Sequence, residues 1–293
     1  MRKRNWRQYN KTLVQRGSLS FLIDPKCLKK LKPKKHKGPG RPLAFPDELI
    51  LILLMIKIHF KLPYRMLEGF TKYILNGIKL PTYSLTCKRA IKLHLDLPKL
   101  SSKRPHTILV DSSGIKVLGE GEWKVKVHGK GRPRKWIKLH LAIDAKTQEI
   151  VAELTTDSAT GDPTVFPLLF AQINRRVKEV IADGAYDSGD IRDLIKQQGG
   201  KALIPPPKNG VCNGIDADRD QAVLDIRTFG GDKIAKSIWG KLSGYSRRAL
   251  VETTFSRYKK MFGEKTFSRT YERQILENRL KCLLMNKMIM VTA

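Results

Sequence analysis

Thr107-Ile-Leu-Val-Asp111-Ser-Ser-Gly114 is a short β-prone run that ends on an acid. Branched apolar residues favour a strand, and Ser-Ser-Gly after the acid predicts a sharp turn. Outward from it, Trp136-Ile-Lys-Leu-His-Leu-Ala-Ile-Asp144 alternates with period two. Glu149-Ile-Val-Ala-Glu-Leu-Thr155 follows after a Lys-Thr-Gln turn, which predicts a three-stranded meander. Asp162 to Ile173 reads as a helix, and Lys178-Glu-Val-Ile-Ala-Asp183 as a second β run ending on an acid. Ser188 to Gln198 predicts a helix closed by Gly199-Gly200. Ala202-Leu-Ile-Pro205 is a last short strand, stopped by prolines.

Three strands, a helix, a strand, a helix, a strand, an intervening segment and a final helix predict an α/β fold. The expected core is a ribonuclease H-like mixed sheet spanning residues 105–293. Residues 208–243, rich in Gly and Asp and without sustained periodicity, read as an insertion before the last catalytic helix. Within it Asp216, Asp218 and Asp220 imitate calcium-loop spacing, but the required Gly and closing Glu are missing. The apolar stretch Ile275 to Ile289 is expected to pack on the same core.

The chain ahead of this core differs in texture. Residues 1–44 are basic and aperiodic, and are expected to form a mobile arm. Its Gly38-Pro-Gly-Arg-Pro42 makes Arg41 a candidate for an A·T-rich minor groove, against a solvated linker that only touches phosphates. Residues 45–104 read as a helical DNA-binding domain. Pro46-Asp47-Glu48 opens a first helix to about Phe60, and Pro63-Tyr64 a second to about Leu75. A third starts near Ser84 and carries Lys88, Arg89, Lys92 and His94. Lys88 and Arg89 are candidate DNA contacts of a helix-turn-helix-like reader, although any small bundle on a basic chain looks similar.

With 57 Lys and Arg against 27 Asp and Glu, the formal charge is +30, which calls for a polyanionic partner, DNA or RNA first. Cys27, Cys87, Cys212 and Cys282 form no C-x-x-C pair, which argues against a zinc knuckle or disulfide framework and fits a reducing cytosol. The basic N-terminus lacks the apolar region of a signal peptide. The longest apolar run, Leu49 to Ile56, is too short to span a bilayer, so no membrane partner is expected.

Candidate chemistry lies in acids at strand ends, where α/β sheets open to ligands. Asp111 and Asp183 end β runs, and Glu252 follows on a helix. Three converging carboxylates repel unless divalent cations neutralise them, and hard oxygen ligands suit two Mg²⁺ or Mn²⁺ ions. Asp144 has the place of a hairpin-turn acid, and Asp187 and Asp190 that of helix-start acids. Asp157 and Asp162 border a helix N-terminus, with a supporting role open to Asp162. In Tyr245-Ser-Arg-Arg248-Ala-Leu-Val-Glu252-Thr-Thr-Phe-Ser-Arg-Tyr-Lys259, the spacing of Tyr245, Arg248, Glu252 and Lys259 predicts one helical face carrying an acid among cations. Gly129-Lys-Gly-Arg-Pro-Arg-Lys135 is a candidate DNA-gripping hairpin tip through Arg132 and Arg134, or equally a solvated loop. Trp123 is a candidate to stack on a displaced base, against an ordinary buried role.

The Tyr245, Arg248, Glu252, Lys259 signature, with Val110-Asp111-Ser-Ser-Gly114 and Ala182-Asp183-Gly-Ala-Tyr186, resembles the DDE transposases of bacterial insertion sequences, specifically the insertion sequence five family. Asn5-Trp6-Arg-Gln-Tyr9-Asn10 and Lys138-Leu-His140-Leu-Ala look like the subgroup that includes the insertion sequence nine-hundred-three transposase. The resemblance implies that Asp111, Asp183 and Glu252 are the catalytic metal ligands, and that Tyr245, Arg248 and Lys259 hold the transposon end. It implies hydrolysis at the element ends and direct attack of the resulting 3′-OH groups on target DNA, with no covalent role for Tyr245. The implied partners are terminal inverted repeats and target DNA, bound by a homodimer at the bacterial nucleoid in the cytoplasm. The alternatives are a different two-metal nuclease and a non-catalytic DNA-binding derivative.

Overall fold

The computed structural model describes residues 5–17, 44–97, 105–117, 135–174, 176–214 and 216–290. The chain divides into two compact units, residues 1–96 with 268–293, and residues 97–267.

The first unit is helical. Within the expected arm, Trp6–Gly17 forms a helix, α1. Arg41 lies outside the described residues. α2 (Asp47–His59) follows Pro46, with Asp47 and Glu48 at its positive end. Leu49, Ile50, Leu53, Leu54, Met55, Ile56 and Ile58 are buried around nearly its whole circumference. α3 (Tyr64–Ile74) follows Pro63. α4 (Tyr83–Ala90) is capped by Thr82 rather than by Ser84: the Thr82 hydroxyl accepts from Leu85 N. It stops at Ala90, so Lys92 and His94 lie beyond the helix meant to carry them. The last helix, α10 (Tyr271–Met290), packs on α2 within this unit and not on the sheet core expected from its sequence. The reason is the all-round apolar surface of α2, which needs cover on more sides than α3 and α4 provide. No described helix is long and apolar enough to cross a membrane.

The second unit is built on a sheet. Its strands are β1 (His106–Val117), β2 (Trp136–Asp144), β3 (Ile150–Asp157), β4 (Val177–Ile181), β5 (Lys201–Leu203) and the short β6 (Lys265–Thr266). Their order is β3-β2-β1-β4-β5, with β6 paired to β1. β1, β2 and β3 form the antiparallel meander, and β4 and β5 add in parallel through α5 (Asp162–Phe170) and α6 (Gly189–Gln197). This is the ribonuclease H-like arrangement. Ile108 and Val110 of β1, Phe166 and Phe170 of α5, and Ile191 and Ile195 of α6 share one core under the sheet.

Two details depart from the sequence reading. β1 does not turn after Asp111 but runs on through Ser-Ser-Gly, paired with β2 as far as Lys116↔Trp136. Gly114 serves close packing instead: a Cβ there would lie 3.3 Å from the Trp136 ring. Residues 208–243 contain two helices, α7 (Ala217–Thr228) and α8 (Lys233–Leu242). The aspartates there are helix hardware. Asp216 caps α7 and pairs with Lys196, Asp218 pairs with Lys201, and Asp220 accepts from Asn213 N and Gly214 N.

Candidate active site

The site starts from a gap at the edge of β1. Parallel pairing with β4 ends at Leu109↔Ile181, and β6 joins β1 only from Lys116. Asp111 lies two residues past the last β1–β4 pair and Asp183 two residues past its own end of it. The register therefore carries both carboxylates to the same level at the open edge. Asp111 is thus a mid-strand, half-buried residue at an edge left open by the loss of a neighbour, not a strand terminus.

Asp183 caps a single 3₁₀ turn, Gly184–Tyr186, its Oδ1 accepting from Ala185 N at 2.9 Å. Gly184 approaches the Pro205 carbonyl, which a Cβ would meet at 3.3 Å. Asp111 Oδ1 accepts from Ser112 N at 2.8 Å and Oδ2 from Arg248 Nη1 at 2.7 Å. The other guanidinium nitrogen of Arg248 donates to Glu252 Oε1. One arginine therefore joins the first and third acids.

The expected continuous helix over Tyr245–Lys259 is broken. Gly244 takes a left-handed φ of +80°, Tyr245–Arg248 forms a 3₁₀ turn, and the α-helix α9 covers Ala249–Phe262. Arg247 ties this turn down, donating to Gly244 O at 2.9 Å and to Glu179 of β4 at 2.7 Å. Tyr245 packs on Trp239 of α8 with ring centroids 5.5 Å apart. The residues still converge, because the turn aims Arg248 at β1 while α9 presents Glu252 one turn later. Lys259 lies further along α9 and lines, with Asp111, Ser113, Glu252, Lys260 and Glu264, a cleft of about 530 Å³.

The electrostatics follow from this geometry. Burial raises the Asp111 pKa; Ser112 N and Arg248 oppose this, and Asp183 and Glu252 add to it. Burial also pushes Tyr245 up to about 12, opposed by Arg248 and aided by Asp183, Asp111 and Glu252. For Arg248, burial works against the charge, and Tyr245, Asp111, Glu252 and Asp183 together overcome it, raising its pKa. Tyr245 and Arg248 each feel all three acids, and Asp111 feels the other two.

Among the described residues, no three His, Cys, Asp or Glu side chains stand close enough together to hold a metal ion. The donor chemistry nonetheless suits a hard divalent cation: carboxylate oxygens only, with Asp111 destabilised as an anion by burial and by its acidic neighbours. In this arrangement the guanidinium of Arg248 neutralises Asp111 and Glu252.

Other candidates fare differently. Lys88 is exposed on α4. Arg89 is buried, its guanidinium donating to Phe45 O and Asp47, so it fastens α4 to the start of α2 and is not offered to DNA. Arg132, Arg134 and Trp123 lie outside the described residues. Asp144 accepts from Lys146 N and Thr147 N as a turn acid, and also pairs with buried His106 at 2.6 Å. Asp187 holds Arg192 and Arg219, and Asp190 lies in the first turn of α6. The sequence reading missed Arg247, Glu179, Lys260 and Glu264.

The fold and this edge of acids define a ribonuclease H-like protein with a carboxylate-centred site. A family model described as "Transposase DDE domain" matches residues 102–287, and another of the same description matches residues 14–120. The chain belongs to the transposase DDE domain family. It is 23% identical over 225 residues to an uncharacterized protein of Aquifex aeolicus (strain VF5), covering 70% of this chain and 66%, just under two thirds, of that protein. Among solved structures it is similar to the piggyBac transposase synaptic complex with hairpin DNA, at 9% identity and a TM-score of 0.43, over 96% of this chain and 74% of that one. It is also similar to the pre-cleavage Mos1 transpososome, at 12% identity and a TM-score of 0.25, over 87% and 82%.

Proposed function

We propose that this protein is a DNA transposase of the insertion sequence five family, in the subgroup resembling the insertion sequence nine-hundred-three transposase. It binds the terminal inverted repeats of its element, cleaves the ends in a metal-dependent reaction and transfers the 3′-OH ends into target DNA. Asp111, Asp183 and Glu252 would hold two Mg²⁺ ions, or Mn²⁺ in their place. When bound, the ions would polarise the phosphodiester and lower the pKa of the attacking water or 3′-hydroxyl. Arg248, released from Asp111 and Glu252 as cations replace it, would turn to the DNA phosphates together with Lys259. Tyr245, its pKa raised to about 12, stays protonated, so its hydroxyl would donate a hydrogen bond to the DNA and not serve as a nucleophile. The +30 charge supports binding of long DNA segments, and synapsis of two ends supports a homodimer on DNA.

The observation that carries this reading is the register that brings Asp111 and Asp183 to one level at the open edge of β1, with Arg248 joining Asp111 to Glu252. The test is end cleavage on DNA bearing the element's terminal repeats, with strand transfer from a pre-cut 3′-OH end. Asp111→Asn and Glu252→Gln should each lower cleavage by at least about a thousandfold while leaving DNA affinity within a few-fold. Cleavage at the wild-type rate in either variant would sink the proposal. Cutting without joining would instead mark a different nuclease.

A further inference from the structure

On the other face of the sheet from Asp111, three residues of β1 and β2 reach one carboxylate. Ser112 and His140 are directly opposed across the two strands, and Lys138 lies two residues along on the same face. Ser112 Oγ donates to Asp162 Oδ2 at 2.8 Å, and Lys138 Nζ donates to Asp162 Oδ1 at 3.2 Å. His140 Nδ1, buried and without a hydrogen bond among the described residues, stands 3.9 Å from the same Oδ1. Lys138 Nζ also donates to Thr160 O at 2.8 Å, which fixes the loop leading into α5. Asp162 lies in the first turn of α5, where the helix dipole favours its charge.

This clamp sits where β1 is least supported. Between the last β4 pair and the first β6 pair, β1 has β2 on only one side. Ser112 is joined to Asp162 through its hydroxyl and to Asp111 through its backbone N–H. Tyr186 adds an independent observation. Its hydroxyl is buried and makes no hydrogen bond among the described residues, and its ring packs on Phe166 of α5. Beyond burial, the charges that raise its pKa are Asp162 first, then Asp111 and Asp183. Asp162 thus shares one electrostatic neighbourhood with two acids of the site.

We infer that Asp162 is a positioning residue of the active site: through Ser112 it fixes the backbone of β1 at Asp111 and so aims that carboxylate at the divalent cations. The inference rests on the metal-dependent reading above. It also accounts for a serine hydroxyl and a lysine spent on one acid beneath the sheet.

The test uses the full chain without DNA and measures Mn²⁺ affinity from the paramagnetic resonance of free Mn²⁺, beside melting temperature and cleavage rate. Ser112→Ala and Asp162→Ala should each weaken Mn²⁺ binding about tenfold. The double variant should be no weaker than the worse single, because both act through one hydrogen bond. Ser112→Thr keeps the hydroxyl and should restore wild-type affinity. Should Asp162→Ala fail to fold, the Ala and Thr variants of Ser112 decide alone. Wild-type Mn²⁺ affinity in Ser112→Ala, alongside lost affinity in Asp111→Asn, would overturn this inference and leave the metal reading standing. Unchanged affinity in Asp111→Asn itself would overturn both.

Discussion

Asp111 shows how a single side chain can be a liability to the fold and an asset to the site. Its carboxylate is half-buried, and Asp183 and Glu252 add to the effect of burial, so its folded pKa is raised above the ordinary value of 3.8. The folded chain then holds the proton more tightly than the unfolded chain. Stabilisation from this group is complete below the ordinary aspartate range and is lost as pH rises through the raised pKa. Two consequences can be measured by thermal melting without metal. Asp111→Asn should melt at or above the wild type at pH 7, and its advantage should shrink as pH falls through the aspartate range. A variant melting well below the wild type at pH 7 would show that the Arg248 contact outweighs the cost of burial. The sequence singles out Asp111 because it follows an apolar β run, a place shared by Asp144, which serves a turn instead. Arg89 was not legible: exposed and buried arginines on a short helix read alike until Phe45 and Asp47 are seen beside it.

At the scale of elements, the stretch from Gly244 to Lys259 delivers its residues by a different construction from the one its periodicity implies. Spacings of three and four are shared by an α-helix and by a 3₁₀ turn leading into one, so the pattern could not tell them apart. The deciding signal was Gly244, whose left-handed φ ends one element and starts the next. Arg247 then locks the turn to Glu179 of β4, which sets the angle at which Arg248 meets Asp111. Gly244→Ala forces an L-residue into that conformation and should cost about 1–2 kcal/mol of stability. Its new methyl would also crowd the Arg247 guanidinium, 3.1 Å from the built Cβ. DNA cleavage should fall in this variant by more than the loss of folded protein explains. Chemical denaturation paired with a cleavage assay checks it, and unaltered stability would mean the turn is not held as drawn. β1 carries the same lesson. Ser-Ser-Gly has turn composition, yet cross-strand pairing with β2 and the Trp136 ring over Gly114 keep it extended.

For the whole molecule, the ribonuclease H-like class followed from the sequence because three successive β runs precede strands alternating with helices. The assignment of the last helix did not, because nothing local to residues 271–290 says which apolar surface they cover. That information lies in α2, more than two hundred residues earlier, whose sequence Leu49-Ile-Leu-Ile-Leu-Leu-Met-Ile56 has no polar face to turn to water. α10 meets it with an interior that is itself partly polar. Glu277 and Lys281 are both buried and paired at 2.9 Å, and Glu277 also accepts from the backbone and hydroxyl of Ser268. Lys281→Met removes one charged partner of Glu277 while Ser268 still donates to that carboxylate, so chemical denaturation should show a loss of about 1.5–3 kcal/mol. The larger consequence concerns truncation. A chain ending at Phe267 keeps all six described strands and Asp111, Asp183 and Glu252, but removes the cover from α2. Its N-terminal helices should then become sensitive to protease and lose helical circular dichroism beyond the 20 residues of α10. Residues 97–267 should remain protected as a fragment of their own. Protection of residues 44–96 in the truncated chain would show that α2 does not depend on α10.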